Sequence, residues 1–180
     1  MIALIVAYAA NRVIGNEGKN HWKIKGEQKR FRELTTDNAV VMGRRSYEEI
    51  GNPLPNRMTY VVSGTKNFDQ DGVVTVTSLQ EAIKLAKDKD IFVSGGARLY
   101  EEAIPVVEKV YITEIELDVE GDTCFPYFDA ELFDRTIEEE IQGDIPYKYV
   151  TYTRKSSVEK GLSFKSTSRK YKKGVRFSEI

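Results

Sequence analysis

The sequence has little sulfur or imidazole chemistry, because its 180 residues include one cysteine, Cys124, and one histidine, His21. A single cysteine excludes an intramolecular disulfide, and a reducing cytoplasm is the simplest location for such a chain. The usual zinc sites need three or four cysteine and histidine ligands, so we expect no metal. We expect Cys124 to be a small buried residue rather than a nucleophile, and His21 to be a loop residue rather than a base.

Long apolar segments and a large excess of one charge are also missing. Residues 1–10 are apolar, but they lack a basic flank and are too short to span a bilayer, so we expect no targeting segment there and a buried strand over 2–10. The formal net charge of −1 gives no general attraction to nucleic acid or membrane. The charge is uneven, however, with +5 on residues 156–180 and −6 on residues 1–155. We therefore expect one domain followed by a basic, serine- and lysine-rich extension, which is either a solvated tail or an arm that binds RNA or another anion.

Hydrophobic periodicity indicates strands and helices that alternate along most of the chain. The pattern predicts helices over residues 26–36, 44–50, 78–87 and 97–104. It predicts further strands over residues 39–42, 58–63, 73–76, 91–94, 109–116, 132–141 and 147–154. Alternating elements followed by strands alone are typical of an α/β sheet with an antiparallel C-terminal edge.

The standard nucleotide-binding fingerprints are missing, since the sequence has neither G-x-G-x-x-G nor G-x-x-x-x-G-K-[ST]. Two strand-to-helix junctions, at residues 42–46 and 94–98, nevertheless combine glycine with arginine. Such junctions offer free backbone N–H groups and close backbone approach to a phosphate. Two of them in one sheet indicate a dinucleotide across the carboxyl ends of the strands, and arginines near Ser63 and Thr65 favour a 2′-phosphate, hence NADPH. The alternative is that both junctions are simple tight turns with solvated arginines.

Glu27 and Phe31 lie four residues apart, so they share one face of the first predicted helix. If Phe31 faces the core, Glu27 points inward from the first turn and could hold an aminopyrimidine edge by two charge-assisted hydrogen bonds. Trp22 could form a wall of the same pocket, and Arg57, after the rigid segment 52–56, could clamp a carboxylate. The alternatives are a surface acid at Glu27 and a solvent-facing Arg57.

Taken in order and spacing, these residues resemble dihydrofolate reductases of the bacterial chromosomal type from Met1 to about Arg154. The likeness is carried by Ile14-Gly15, Trp22, Glu27 with Phe31, Val41-Met42-Gly43-Arg44, Pro53-Leu54-Pro55-Asn56-Arg57, Ser94-Gly95-Gly96-Ala97, Tyr111-Ile112-Thr113 and residues 120–126. The resemblance implies a single α/β domain with an eight-stranded, mostly parallel sheet and four helices. It also implies a monomer that reduces 7,8-dihydrofolate to tetrahydrofolate with NADPH, by hydride transfer to C6 and protonation at N5.

The resemblance further implies roles for individual residues. Glu27 would bind the pterin N3 and 2-amino group and favour protonation at N5, Thr113 would hydrogen-bond Glu27, and Trp22 would hold an ordered water. Arg57 would hold the α-carboxylate of the glutamate tail. Other expected substrate contacts are Ile5, Ala7, Gln28, Phe31, Ile50, Leu54, Ser94 and Tyr100. Expected cofactor contacts are Ala7, Ile14, Gly15, Gly43, Arg44, Arg45, Ser46, Ser63, Thr65, Gly95, Gly96, Ala97, Arg98, Leu99 and Thr123.

Some features depart from the family pattern or compete with it. His21 stands where the family usually has proline, within a loop over 9–23 that is expected to act as a lid, and Gln28 and Ser94 are polar in the pterin or antifolate pocket. Gly95-Gly96 is expected to be a cis peptide. Two alternatives remain: the related reductase of riboflavin synthesis, which shares the fold, and a nucleotide- or RNA-binding protein that acts through its basic tail.

Overall fold

The computed structural model describes residues 1–15 and 22–156. Its strands are β1 (Ile2–Ala9), β2 (Val13–Gly15), β3 (Ala39–Gly43), β4 (Met58–Val62), β5 (Val73–Val76), β6 (Ile91–Val93), β7 (Lys109–Ile115), β8 (Thr123–Cys124), β9 (Phe133–Ile141) and β10 (Tyr147–Arg154). Its helices are α1 (Glu27–Thr35), α2 (Arg44–Ile50), α3 (Leu79–Leu85) and α4 (Ala97–Ala103), with one 3-10 turn at Ala130–Leu132. Within the described ranges, no helix is long and apolar enough to cross a bilayer.

Eight strands form one sheet in the order β5-β4-β3-β6-β1-β7-β10-β9, and β2 pairs with β8 in a separate ribbon. The pairs from β5 to β7 are parallel, whereas β10 runs antiparallel to both β7 and β9. The central strands are apolar at successive positions because helices cover both faces of a parallel sheet. The predicted α/β fold, with a mostly parallel sheet and an antiparallel C-terminal edge, is confirmed.

Strand β6 lies between β3 and β1, and this placement creates a crevice in the sheet. The chain leaves β1 for β3, β4 and β5 on one side, returns through β6, and continues to β7 on the other side. In open α/β sheets, ligands bind outside the carboxyl ends of strands where the connections diverge in this way. Gly43 N–H, at the end of β3, donates to Gly95 O after β6 at 2.8 Å, and the expected cis peptide at Gly95-Gly96 is present.

Helix α1 covers one face of this sheet close to the crevice. Its partly buried Phe31 and Leu34 pack against Ala3, Ile5 and Phe92, which face the helix from β1 and β6. The predicted inward orientation of Phe31 is therefore confirmed, and residues on the same side of the helix are directed towards the sheet.

The start of α3 matches the predicted Ser-x-x-Glu cap only in part. Ser78 Oγ accepts from Glu81 N–H at 3.1 Å, but the Glu81 carboxylate accepts from the N–H of Thr77 at 2.7 Å rather than from Ser78. The helix ends at Leu85, before the predicted residue 87.

The β2–β8 ribbon overturns two expectations. The segment 9–23, expected to be a loop, contains strand β2, while its residues 16–21, including His21, lie outside the described part of the chain. Cys124 is exposed, so the prediction of a buried thiol was wrong. The β2–β8 ribbon lies outside the main sheet, and it leaves the Cys124 side chain open to solvent.

Arg154 holds the end of the last strand to the body of the fold. Its Nε and Nη2 donate to the carbonyl oxygens of Val107 and Ile104, at 2.8 and 2.7 Å, and its guanidinium lies 4.7 Å from the Phe133 ring centroid. Thr153 pairs with Lys109, at the start of β7. The chain therefore leaves the described fold at the amino end of β7, opposite the crevice.

We expect Gly121→Ala to destabilise the protein by about 1–3 kcal/mol, because overpacking forces backbone to move. A Cβ at Gly121 would lie 2.6 Å from Gly15 O and would also clash with Val13, so the β2–β8 ribbon would have to shift. Chemical denaturation measures the change. Gly143→Ala is the matched control, because a Cβ there meets nothing within 4 Å. Equal, small effects of both substitutions would contradict the close packing at Gly121.

Candidate active site

The first turn of α1 is held at the sheet by glycine and tyrosine. Gly26 precedes the helix at φ 96°, a left-handed conformation that glycine adopts without a Cβ penalty. Tyr147 OH, from β10, donates to Lys25 O at 2.8 Å. The chain therefore enters the helix with Glu27 directed towards β7 and β10.

Glu27 has one carboxylate oxygen engaged and one free. Thr113 Oγ1, on β7, donates to Glu27 Oε1 at 2.9 Å. Glu27 Oε2 is buried and has no hydrogen-bond partner among the described residues. A buried carboxylate oxygen without a partner is costly, so this atom is a strong acceptor for a ligand donor. The predicted contact between Thr113 and Glu27 is confirmed.

Burial raises the pKa of Glu27 above its ordinary value, while the Thr113 hydrogen bond and the Arg30 charge act in the opposite direction. Arg30 lies one helical turn along α1, and its guanidinium is 3.9 Å from the ring centroid of Tyr149. Arg30 was not among the predicted site residues, although its three-residue spacing from Glu27 places the two on neighbouring positions of the helix. The carboxyl group can therefore both accept hydrogen bonds and hold a proton nearer neutral pH.

The walls of the Glu27 pocket come from β1 and from elements packed on it. Ala7 is the register partner of Thr113, and Ile5 lies two residues earlier on the same strand face. Tyr100 OH, from α4, donates to Ile5 O at 2.9 Å, and the Tyr100 residue is buried. Trp22 is only 8% exposed. It packs against Ala9 and Ile115, which end β1 and β7, and against Val13 of β2.

The other predicted substrate contacts differ in how far they are buried. Phe31 and Leu54 are partly buried against one apolar cluster, whereas Ile50, at the end of α2, is 42% exposed. Gln28 is exposed on α1, and Ser94 is half-buried directly after β6. These side chains are therefore more exposed than Ile5, Tyr100 and Trp22.

Arg57 is oriented by backbone and side-chain acceptors. Its Nε donates to Pro55 O at 2.9 Å, and its Nη1 donates to Thr35 Oγ1 at 3.2 Å. Partial burial and the nearby charge of Arg32 lower the pKa of Arg57. The Nη2 atom has no partner in the described part of the chain, which leaves one edge of a fixed guanidinium for an anion.

The opposite end of the crevice carries basic side chains. Arg44 Nη1 lies 3.1 Å from Glu48 Oε2, and Lys66 Nζ lies 2.7 Å from Glu48 Oε1. The pKa of Glu48 is lowered, first by the hydrogen bond from Lys66. Lys66 and Glu48 were not among the predicted site residues. Lys66 could have been found as a lysine in the same turn as Ser63 and Thr65, and Glu48 by its four-residue spacing from Arg44.

Ser63 builds the turn that presents Lys66. Its Oγ accepts from the N–H groups of Thr65 and Lys66, at 3.4 and 3.1 Å. Ser63 itself is buried at the end of β4, while Thr65 is exposed. Ser63 therefore has a structural part in this turn in addition to its predicted contact with the cofactor.

The remaining predicted cofactor residues surround the two glycine junctions. A Cβ at Gly95 would lie 3.4 Å from Ser46 Oγ, and one at Gly43 would lie 3.9 Å from the Leu99 side chain, so the starts of α2 and α4 face each other. Arg45 is exposed, and Arg98 is 92% exposed and lies 3.3 Å from Glu102. Gly96 and Ala97 begin α4 beside this contact, and Ile14, Gly15 and Thr123 lie in the β2–β8 ribbon.

No metal site competes with this arrangement in residues 1–15 and 22–156. Within those ranges, no three histidine, cysteine or acidic side chains are grouped so as to hold a metal ion. The chemistry available is a buried carboxyl group with one free oxygen, an arginine at one end of the pocket, and a basic edge at the other.

Comparison with known proteins gives one consistent result. A family model described as dihydrofolate reductase matches residues 1–154. Dihydrofolate reductase type A13 of Escherichia coli is 41% identical over 157 residues, covering 86% of this chain and 95% of the relative. Dihydrofolate reductase of Bacillus subtilis (strain 168) is 32% identical over 166 residues, covering 89% and 99%. A solved structure of dihydrofolate reductase from Enterococcus faecalis, complexed with NADP(H) and RAB-propyl, matches with a TM-score of 0.79 and 33% identity, covering 86% of this chain and 96% of that one.

We expect Glu27→Gln to stabilise the protein without ligands by about 1 kcal/mol at pH 7.5, which is about 2–4 °C in Tm. A carboxyl pKa raised in the folded state means that folding stability falls as pH rises from the unfolded pKa through the folded pKa. The gain from the substitution should therefore be larger at pH 7.5 than at pH 4.

Thermal unfolding of wild type and variant at both pH values tests this expectation. Glu33→Gln is the control on the same helix, since Glu33 is 63% exposed and its pair with Lys29 lies at the surface. A loss of stability in Glu27→Gln at pH 7.5 would mean that the buried charge is already compensated.

Proposed function

The chain belongs to the dihydrofolate reductase family, whose members reduce 7,8-dihydrofolate to 5,6,7,8-tetrahydrofolate with NADPH, and we propose that Glu27, Thr113 and Trp22 carry out the protein's part of this reaction. The chain is accordingly an NADPH-dependent oxidoreductase of one-carbon metabolism. The observation that carries the proposal is the unpaired, buried Oε2 of Glu27.

Glu27 fits the pterin ring of the substrate. The ring presents N3–H and the 2-amino group side by side, two donors for the two carboxylate oxygens. Thr113 donates to Oε1 from the sheet side and fixes the plane of the carboxylate. Binding of the ring therefore gives Oε2 the partner that it lacks and orients C6 towards β1.

Reduction of the C6–N5 double bond needs a hydride at C6 and a proton at N5. NADPH supplies the hydride. Burial raises the pKa of Glu27, which lets its carboxyl group hold a proton at a higher pH than an exposed glutamate, and we infer that the proton reaches N5 through an ordered water beside Trp22. Trp22, packed at the ends of β1 and β7, limits access of bulk solvent to this path.

The residues at the crevice fit an extended dinucleotide. The lack of a Cβ at Gly43 and Gly95 lets the two junctions lie in contact with each other and with the Ser46 hydroxyl. The N–H groups that begin α2 and α4 are the donors that we expect a phosphate to use. Arg44 and Lys66 lie at the β3–β4 end, whereas Ala7 lies on β1 beside Thr113. We infer that the adenosine end binds near β4 and the nicotinamide near Ala7, next to the pterin.

We infer that Arg57 binds the α-carboxylate of the substrate's glutamate tail. Its guanidinium is oriented in advance by Pro55 O and Thr35 Oγ1, which reduces the entropy lost when a carboxylate binds. The open side chains of Ile50 and Leu54 lie between the tail and the ring, where the aminobenzoyl group would pack.

We also propose that residues 1–155 form the complete catalytic domain of a cytoplasmic monomer. The family match ends at residue 154, and every residue in the proposed site lies before that point. The net charge of −6 on residues 1–155 argues against nucleic acid as a partner of this domain. The extension over 156–180 lies, after Ser156, outside the described residues, and no catalytic role is assigned to it.

NADPH oxidation in the presence of dihydrofolate tests the function, with NADH measured beside it. We expect rapid turnover with NADPH and slow turnover with NADH. Glu27→Gln should lower turnover at pH 7 by about 10²-fold or more, with partial recovery in acid, where solvent protonates N5 directly. Glu33→Gln serves as the control. An unchanged pH profile in Glu27→Gln would remove Glu27 from the proton step, and no turnover by the folded wild type would overturn the proposed function.

Arg57→Leu should raise the KM for dihydrofolate by about 10²-fold and leave the KM for NADPH nearly unchanged, because it removes one partner of a charge pair with the substrate. Arg135→Leu, on β9 and outside every proposed contact, is the control. Steady-state kinetics with each substrate varied in turn separates the two constants. Equal losses for both substrates would show that Arg57 does not clamp the tail.

A further inference from the structure

One carboxylate in the fold holds two cations that approach from different elements. Glu48 accepts from Arg44 Nη1 through both oxygens, at 3.3 and 3.1 Å, and from Lys66 Nζ at 2.7 Å. Arg44 lies one turn earlier on α2, whereas Lys66 comes from the turn after β4. All three side chains are at least partly accessible, so a ligand can reach the cluster.

The sheet register explains why these residues meet. Gly43, the last residue of β3, pairs with Val62, the last residue of β4, so Arg44 and the Ser63 turn leave the sheet side by side. The Ser63 hydroxyl fixes the backbone of Lys66. The turn therefore places the Lys66 backbone next to the start of α2, and Glu48 holds the ammonium group at the end of the side chain.

The cluster lies where the far end of the cofactor is proposed to bind. From β4 to β1 the sheet crosses β3 and β6, which is three strand spacings or about 14 Å. A dinucleotide whose nicotinamide lies at Ala7 extends along this row of carboxyl ends. Its adenosine ribose would then reach the β3–β4 end, beside Arg44 and Lys66.

We propose that Glu48 is an internal anion that occupies the Arg44–Lys66 pair until the 2′-phosphate of NADPH displaces it, which makes Lys66 and Glu48 specificity-determining residues. The inference rests on the proposed function and extends it, because neither residue is needed for the chemistry at Glu27. A dianionic phosphate presents more charge and more acceptor oxygens than one carboxylate, so it wins both cations. The 2′-hydroxyl of NADH has no charge and cannot replace Glu48.

The two substitutions should act in opposite directions on the same ligand. Glu48→Gln removes the competitor and frees both cations, so affinity for a 2′-phosphate should rise. Lys66→Met removes a cation while keeping an unbranched chain of similar length, so that affinity should fall. Both effects should shrink in about 1 M salt, because exposed charges are screened there.

Calorimetric titration with adenosine 2′,5′-bisphosphate, beside adenosine 5′-monophosphate, tests the proposal without turnover. We expect Glu48→Gln to lower the Kd of the bisphosphate by about 3- to 10-fold and Lys66→Met to raise it by about 10-fold. The monophosphate Kd should change less than about 2-fold in either variant. Glu49→Gln and Lys84→Met are the matched controls and should leave both ligands unaffected.

Three results would overturn the inference. Weaker bisphosphate binding in Glu48→Gln would mean that Glu48 positions the cations rather than competing for them. An unchanged Kd in Lys66→Met would remove Lys66 from the phosphate contact, and equal changes for both adenosine ligands would make the effect independent of the 2′-phosphate. NADPH titration of the wild type separates these results from failure of the proposed function. If the wild type binds NADPH but neither variant changes the Kd of the bisphosphate, only the inference is overturned. If the wild type does not bind NADPH, both the inference and the proposed function are overturned.

Discussion

Hydrogen bonding of β6 to both β3 and β1 determines where the binding groups of this protein lie. Because β6 returns to the middle of the sheet, the loops after β3 and β6 meet, as the Gly43–Gly95 hydrogen bond records. The same placement separates the basic edge beyond β3 from the carboxylate pocket beside β7. If β6 lay at an edge of the sheet instead, the loops after β3 and β6 would not meet.

The pocket and the basic edge use charge in different ways. Glu27 is buried with one oxygen unpaired, so it favours a ligand that offers hydrogen-bond donors to its carboxylate. Burial also raises its pKa, so it binds a proton more readily than an exposed glutamate does. At the basic edge, the charges of Arg44 and Lys66 are only partly compensated by the single carboxylate of Glu48, and all three side chains remain near solvent. The first arrangement favours tight, directional recognition of a flat ring, whereas the second favours exchange of one anion for another.

Much of the fold and of the Glu27 pocket could be predicted from local sequence, because the residues that decide them lie only a few positions apart along the chain. Glu27 and Phe31 share a helix face, so the inward carboxylate followed from a four-residue spacing, and β1 followed from its apolar run. Arg44 and Glu48 meet through a four-residue spacing on α2, whereas the contact of Lys66 with Glu48 depends on the pairing of β3 with β4, which no local pattern specifies. The β2–β8 ribbon was missed because strands of three and two residues are too short to show a period, and the exposure of Cys124 follows from that ribbon.

The hold of Arg154 on Val107 and Ile104 has a practical meaning for protein engineering. It anchors the final strand at the amino edge of β7, so anything joined after that strand is tethered on the side of the sheet remote from the catalytic crevice. Attachment to a solid support or to a reporter protein through this end would leave the mouth of the crevice turned outward. A pulling force applied at the end of β10 would therefore act first on the packed guanidinium of Arg154 rather than on the residues of the substrate pocket.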